Sequence, residues 1–187
     1  MKKPLALLIL KLLGWSTENK FRHEHKYIII GAPHTSNWDF LYFILLARTT
    51  GIKIHWIAKH TLFKGPFGKI FKRLGGIPIN RQIHNNLIQK MTEEFNKREN
   101  FVVAIAPEGT RSKAEYWKTG FYHIARQANI PIVLGFIDYK RKTVGFADTF
   151  YPSGNIEEDM KKIRKFYEDK TGKHPSRHSE IKLKDQN

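Results

Sequence analysis

Apolar residues fall along this chain in two rhythms, short continuous runs and positions spaced three and four apart. Tyr27 to Ile30 is a continuous apolar run closed by Gly31 and Pro33, which is the length and punctuation of a buried strand. Phe40 to Thr49 forms the body of a helix that Asp39 caps, with the acid where the positive end of the helix dipole favours it. Ile54 to Ala58 predicts a second strand. Gly65-Pro66 opens a helix from Phe67 to Leu74, since proline is tolerated in a first turn, and Gly75-Gly76 ends it. Ile77 to Ile79 reads as a short strand, Asn85 to Asn96 as an amphipathic helix, and Phe101 to Ala106 as an apolar strand stopped by Pro107. Phe121, Ile124, Ala125 and Ala128 recur at helical spacing over Gly120 to Asn129; a strand over Ile132 to Ile137 and a helix over Ile156 to Lys170 follow.

Strands separated by helices predict an α/β fold: a mixed, largely parallel central sheet flanked by helices, with functional loops at the strand carboxyl ends. The 187 residues read as one domain, 1–187, whose last stretch, 171–187, is expected to be a polar tail carrying little signal. Residues 1–20 hold Leu5 to Leu10, interrupted by Lys11 before Leu12, Leu13 and Trp15. That run is too short to span a bilayer, and its lysine and bulky residues do not match a signal peptide. Two readings stay open: a helix lying in the headgroup region of a membrane, or a first helix packed on the core.

Charge narrows the partners. Lys and Arg total 33 against 17 Asp and Glu, a formal charge of +16, so an anionic partner is expected: nucleic acid, an acidic lipid surface or an acidic carrier protein. The chain has no cysteine, which removes disulfides, thiolate catalysis and cysteine metal sites and fits a reducing compartment.

Three blocks carry candidate chemistry. Gly31 to Asp39 places His34 and Asp39 with four residues between them at a strand-to-helix junction. A loop histidine and a first-turn aspartate at that spacing can fold together, so that the carboxylate fixes the ring tautomer and raises its basicity. Pro107 to Ser112 follows an apolar strand with Glu108, Gly109, Thr110, Arg111 and Ser112; glycine permits close backbone approach and the guanidinium fork suits phosphate. Gly75 to Arg81 brings Arg81 off the end of a short strand, where it can meet the same anion as Arg111. Taken singly, each block is also what an ordinary capped helix, polar turn or surface arginine would look like.

In this order the blocks resemble the glycerophospholipid acyltransferase family, and within it the lysophosphatidate (1-acylglycerol-3-phosphate) acyltransferases. The likeness runs over residues 27 to 137 and includes Ile130-Pro131-Ile132-Val133 as a fourth block, although Leu134-Gly135 stands where the family continues into a second proline. The resemblance implies an O-acyltransferase in which His34, oriented by Asp39, deprotonates the hydroxyl of a lysophospholipid as it attacks an acyl thioester. Arg81 and Arg111 are expected at the acceptor phosphate, with Gly109, Thr110 and Ser112 shaping the pocket and Glu108 holding the loop or the arginines. Oxyanion donors are expected near the start of the Asp39 helix or in the Gly109 loop.

The acyl donor is expected to be acyl-CoA or acylated acyl carrier protein, with no cofactor and no metal; His23-Glu24-His25 and the pair His174 and His178 lack a full ligand set. A peripheral or monotopic protein on the cytoplasmic face of an anionic membrane is the expected setting. Other lysolipid acceptors, or a non-catalytic basic membrane- or nucleic-acid-binding protein, are the alternatives. No nucleic-acid reading motif is present, so no specific nucleic acid is expected as a partner.

Overall fold

The run at Ile28 to Ile30 lies in β2 (Lys26–Ala32), the middle of a seven-stranded sheet. Strands and helices are numbered here in chain order. Parallel neighbours flank β2 on both sides: β5 (Phe101–Ile105), with Ile30 opposite Ile105, and β6 (Ile132–Asp138), with Ile30 opposite Leu134. Outside β5 lie β3 (Ile54–Lys59) and the short β4 (Gly76–Ile79), both parallel. Outside β6 lie β7 (Thr143–Phe150), which runs antiparallel, and β1 (Ser16–Asn19), which pairs with β7 in parallel. The order is β1-β7-β6-β2-β5-β3-β4. These relations come from a computed structural model that describes residues 3–80 and 87–184.

Successive strand residues point to opposite faces, and both faces of β2 are buried. Tyr27 and Ile29 join Ala6 and Leu10 of α1 (Lys3–Leu12) and Leu45 and Leu46 of α2 (Trp38–Thr50) in one core. Ile28 and Ile30 join a second core with Met91 and Phe95 of α4 (Leu87–Lys97), Phe121 and Ile124 of α5 (Gly120–Gln127), and Met160 and Ile163 of α6 (Ile156–Tyr167). The remaining short helix, α3 (Gly68–Arg73), precedes β4. Each fully buried isoleucine or leucine here contributes roughly 1.5–3 kcal/mol relative to exposure. The expected mixed, largely parallel α/β sheet is therefore what the chain forms.

Several details differ from the sequence reading. Strands β1 and β7 were not expected: β1 reads Ser-Thr-Glu-Asn, and β7 carries Gly145 and Asp148, so neither gives an unbroken apolar run. Asn37, not Asp39, occupies the cap position, and Asp39 sits inside the first turn of α2. The helix expected from Asn85 is described only from Leu87, its first two residues lying outside the described part. Gly135 sits at an irregularity of the β6–β7 pairing, where a Cβ would fall 2.9 Å from Ile29 Cγ2. The Tyr167 hydroxyl, shared between the carbonyls of Gly135 and Ile30 at 2.8 and 2.9 Å, locks this place in the sheet.

Residues 171–184, expected as a polar tail, are bound to the domain. The Tyr139 amide donates to the Thr171 carbonyl at 2.8 Å, the Trp117 amide donates to the Lys182 carbonyl at 2.9 Å, and Ile181 is buried in the second core. At the other end, α1 packs one face on the core and leaves the other exposed. Ala6 and Leu10 pack inward, while Leu5, Leu7, Leu8, Leu12 and Leu13 face solvent. No described helix is long and apolar enough to cross a membrane.

Candidate active site

Strand β2 connects through α2 toward β3 on one side, whereas its neighbour β5 connects through α5 to β6 on the other; adjacent strands whose connections leave in opposite directions open a crevice beyond their carboxyl ends. A cleft of about 2620 Å³ lies there, lined among others by His34, Asp39, Gly109, Thr110, Arg111 and Ser112. The loop after β2 supplies the first pair. His34 Nδ1 stands 3.1 Å from Asp39 Oδ2, and the same oxygen accepts the Thr35 and Ser36 amides, each at 2.8 Å. A carboxylate oxygen only accepts, so the ring proton sits on Nδ1 and Nε2 presents its lone pair. Among the described residues nothing hydrogen-bonds that Nε2, and the imidazole is partly open to the cleft.

Asp39 is itself only 6% exposed, and its second oxygen is taken as well: the Tyr139 hydroxyl donates to Oδ1 at 2.7 Å. Burial, followed by that bond to the carboxylate, pushes the Tyr139 phenol far above its ordinary range. The fold that makes this cluster is local on one side and distant on the other. Asp39 reaches back to the loop because α2 starts at Trp38, whereas Tyr139 arrives from the end of β6.

The loop after β5 supplies the second acid. Glu108 is 2% exposed; its Oε1 accepts the His34 amide at 2.7 Å and its Oε2 accepts the Ser179 hydroxyl at 2.7 Å. Desolvation raises its pKa above the ordinary glutamate value, and the Ser179 and His34 donors hold that rise back. Glu108 thus ties its loop to the histidine loop and to residue 179, and among the described residues it meets no arginine. Arg111 instead donates to Asn37 Oδ1, joining the two loops across the cleft. Gly109 adopts φ +68°, a left-handed backbone that a side chain would strain.

His34, Asp39, Gly109, Thr110, Arg111 and Ser112 are thus brought to one cleft, with Glu108 buried behind it. Arg81 lies outside the described residues. The amides near the start of α2 are already engaged: Thr35 and Ser36 on Asp39, Trp38 on the Ser36 hydroxyl at 3.2 Å. Tyr139, Ser179 and Asn37 escaped the sequence reading; the first two belong to no motif, and Asn37 was passed over inside one.

The acyltransferase family model matches residues 15–134, and the chain belongs to that family. No curated protein matches it. Its fold is similar to the crystal structure of PlsC, the 1-acyl-sn-glycerophosphate (LPA) acyltransferase of Thermotoga maritima, with a TM-score of 0.59 and 20% identity over 89% of this chain and 73% of that one.

Proposed function

We propose that this acyltransferase moves a fatty acyl group from the thioester of coenzyme A or acyl carrier protein to the free hydroxyl of a lysophospholipid such as lysophosphatidate. The observation that carries the reading is the 3.1 Å contact of His34 Nδ1 with Asp39 in a cleft onto which Nε2 opens. In the reaction Nε2 takes the hydroxyl proton as the oxygen attacks the thioester carbon. The tetrahedral oxyanion then collapses, the carbon–sulfur bond breaks, and the imidazolium returns its proton to the departing thiolate. General-base help of this kind is worth about 10²- to 10⁴-fold, and a thiol with a pKa near 8.5 leaves without a covalent enzyme intermediate.

Arg111, on the cleft wall, supports recognition of the acceptor phosphate, with Arg81 as its partner from the Gly75 block. A membrane surface as the place of work is supported by α1, where Leu12 is 77% exposed beside Leu5, Leu8 and Leu13, and by Trp38, 54% exposed at the mouth of the site. Amphipathic helices of this composition bind anionic interfaces through apolar burial and charge together.

Purified protein is expected to transfer label from acyl-CoA or an acylated carrier to lysophosphatidate, and His34→Ala to abolish transfer with an unchanged circular dichroism spectrum. Near-normal turnover by His34→Ala would remove the imidazole from the mechanism. A lysolipid panel read by mass spectrometry identifies the acceptor and the donor.

A further inference from the structure

The region matched by the family model ends at residue 134, yet the acid of the His–Asp pair depends on a side chain beyond it. Asp39 receives four donors: His34 Nδ1, the Thr35 amide and the Ser36 amide on Oδ2, and the Tyr139 hydroxyl on Oδ1. The three on Oδ2 belong to the residue's own loop and move with it. Among the described residues, Tyr139 alone ties the carboxylate to the sheet, from the chain just past β6.

The phenol is held from three sides. Its ring meets Trp15, which follows α1, edge to face at 5.0 Å, and Tyr42 of α2 edge to face at 5.9 Å. Its own amide is fixed on Thr171. Since burial and Asp39 both push its pKa up, the hydroxyl keeps its proton and serves only as a donor throughout the working pH range.

We propose that Tyr139 is a positioning residue of this acyltransferase, which pins Asp39 Oδ1 so that Oδ2 faces His34 and which moderates the charge that the imidazole sees. A donor on a carboxylate draws off part of its negative charge. Without it the freed Oδ1 lets the carboxylate rotate out of line with the ring. Other titratable and charged groups face the pair: Tyr42 from α2, Glu108 and Arg111 from the loop after β5, and Lys173 and His174 from the segment after α6. None of these is altered by removing one hydroxyl.

The test is Tyr139→Phe in the full chain, which keeps the ring against Trp15 and Tyr42. The inference rests on His34 as the base, so His34→Ala is assayed alongside. Expected is a kcat about 10-fold lower, with KM for both substrates within about two-fold, since the bond acts on the base and not on substrate binding. The acid limb of the kcat pH profile is expected to shift relative to wild type, which a merely structural loss would not produce. An unshifted acid limb in Tyr139→Phe, or a kcat within about two-fold of wild type, overturns the inference. Turnover surviving in His34→Ala would instead sink the underlying reading of the base.

Discussion

Replacing Glu108 by glutamine keeps an acceptor for the His34 amide while removing the charge that burial disfavours; replacing it by alanine removes both. With alanine the buried His34 N–H loses the acceptor now 2.7 Å away, and Ser179 loses its own. An orphaned buried donor costs about 1–3 kcal/mol, and the space left in a region 2% exposed adds to it, so a loss of roughly 2–4 kcal/mol near pH 7 is expected. Glutamine is expected to fall within about 1 kcal/mol of wild type there, because its carbonyl and amide can meet the same two partners. The pH dependence separates the two effects. A glutamate whose folded pKa is raised binds its proton more tightly when folded, so its contribution is complete below the ordinary value of about 4.5 and is lost as the pH climbs through the raised one. Wild type should therefore lose stability relative to Glu108→Gln across that window, and the difference should level off above it. Urea unfolding followed by tryptophan fluorescence at a series of pH values from about 4.5 to 8.5 measures the difference directly. A difference that stays flat, or that grows in favour of wild type as pH rises, would refute the assignment of a desolvated acid here.

Two further outcomes follow from the surface and from the turn. Leu8→Glu with Leu12→Glu replaces side chains 52% and 77% exposed, so the melting temperature should hold. Binding to phosphatidylglycerol vesicles in a sedimentation assay should weaken at least about 10-fold, because each leucine withdrawn from an apolar phase forfeits roughly 1.5–3 kcal/mol; unchanged binding would detach α1 from the membrane. Gly109→Ala forces a side chain onto φ +68° and sets its Cβ 3.0 Å from Lys118 Cε. At about 1–2 kcal/mol of backbone strain, the melting temperature should drop by about 2–8 °C, and differential scanning calorimetry that finds none would contradict the strained turn.

How much of this was legible beforehand depended on whether a residue belongs to a repeating pattern. β2, β5 and β6 announced themselves because parallel strands buried on both faces must be nearly continuous apolar runs, as Ile28 to Ile30 and Ile132 to Leu134 are. β1 was invisible because Ser16 to Asn19, a polar edge strand, takes its pairing from backbone and not from side chains. The His34 and Asp39 spacing was readable because both ends lie in one short loop. Tyr139 and Ser179 were not, since one tyrosine and one serine become partners of the two acids only when the sheet and the segment after α6 are in place. The same blindness made residues 171–184 look like a tail: their ties are mostly main-chain atoms and single hydroxyls, which leave no periodicity.

That segment has a consequence for when the enzyme comes into being. Tyr139 is 100 positions from the carboxylate it holds, and Ser179 is 71 from the one it caps. A chain still being synthesised, with the stretch after α6 not yet free of the ribosome, leaves one oxygen of Glu108 bare and Thr35 without the His174 amide now 3.2 Å from its hydroxyl. The cleft beyond the strand ends is therefore complete only once the segment after α6 has docked on both loops, well after α1 and β2 have been made.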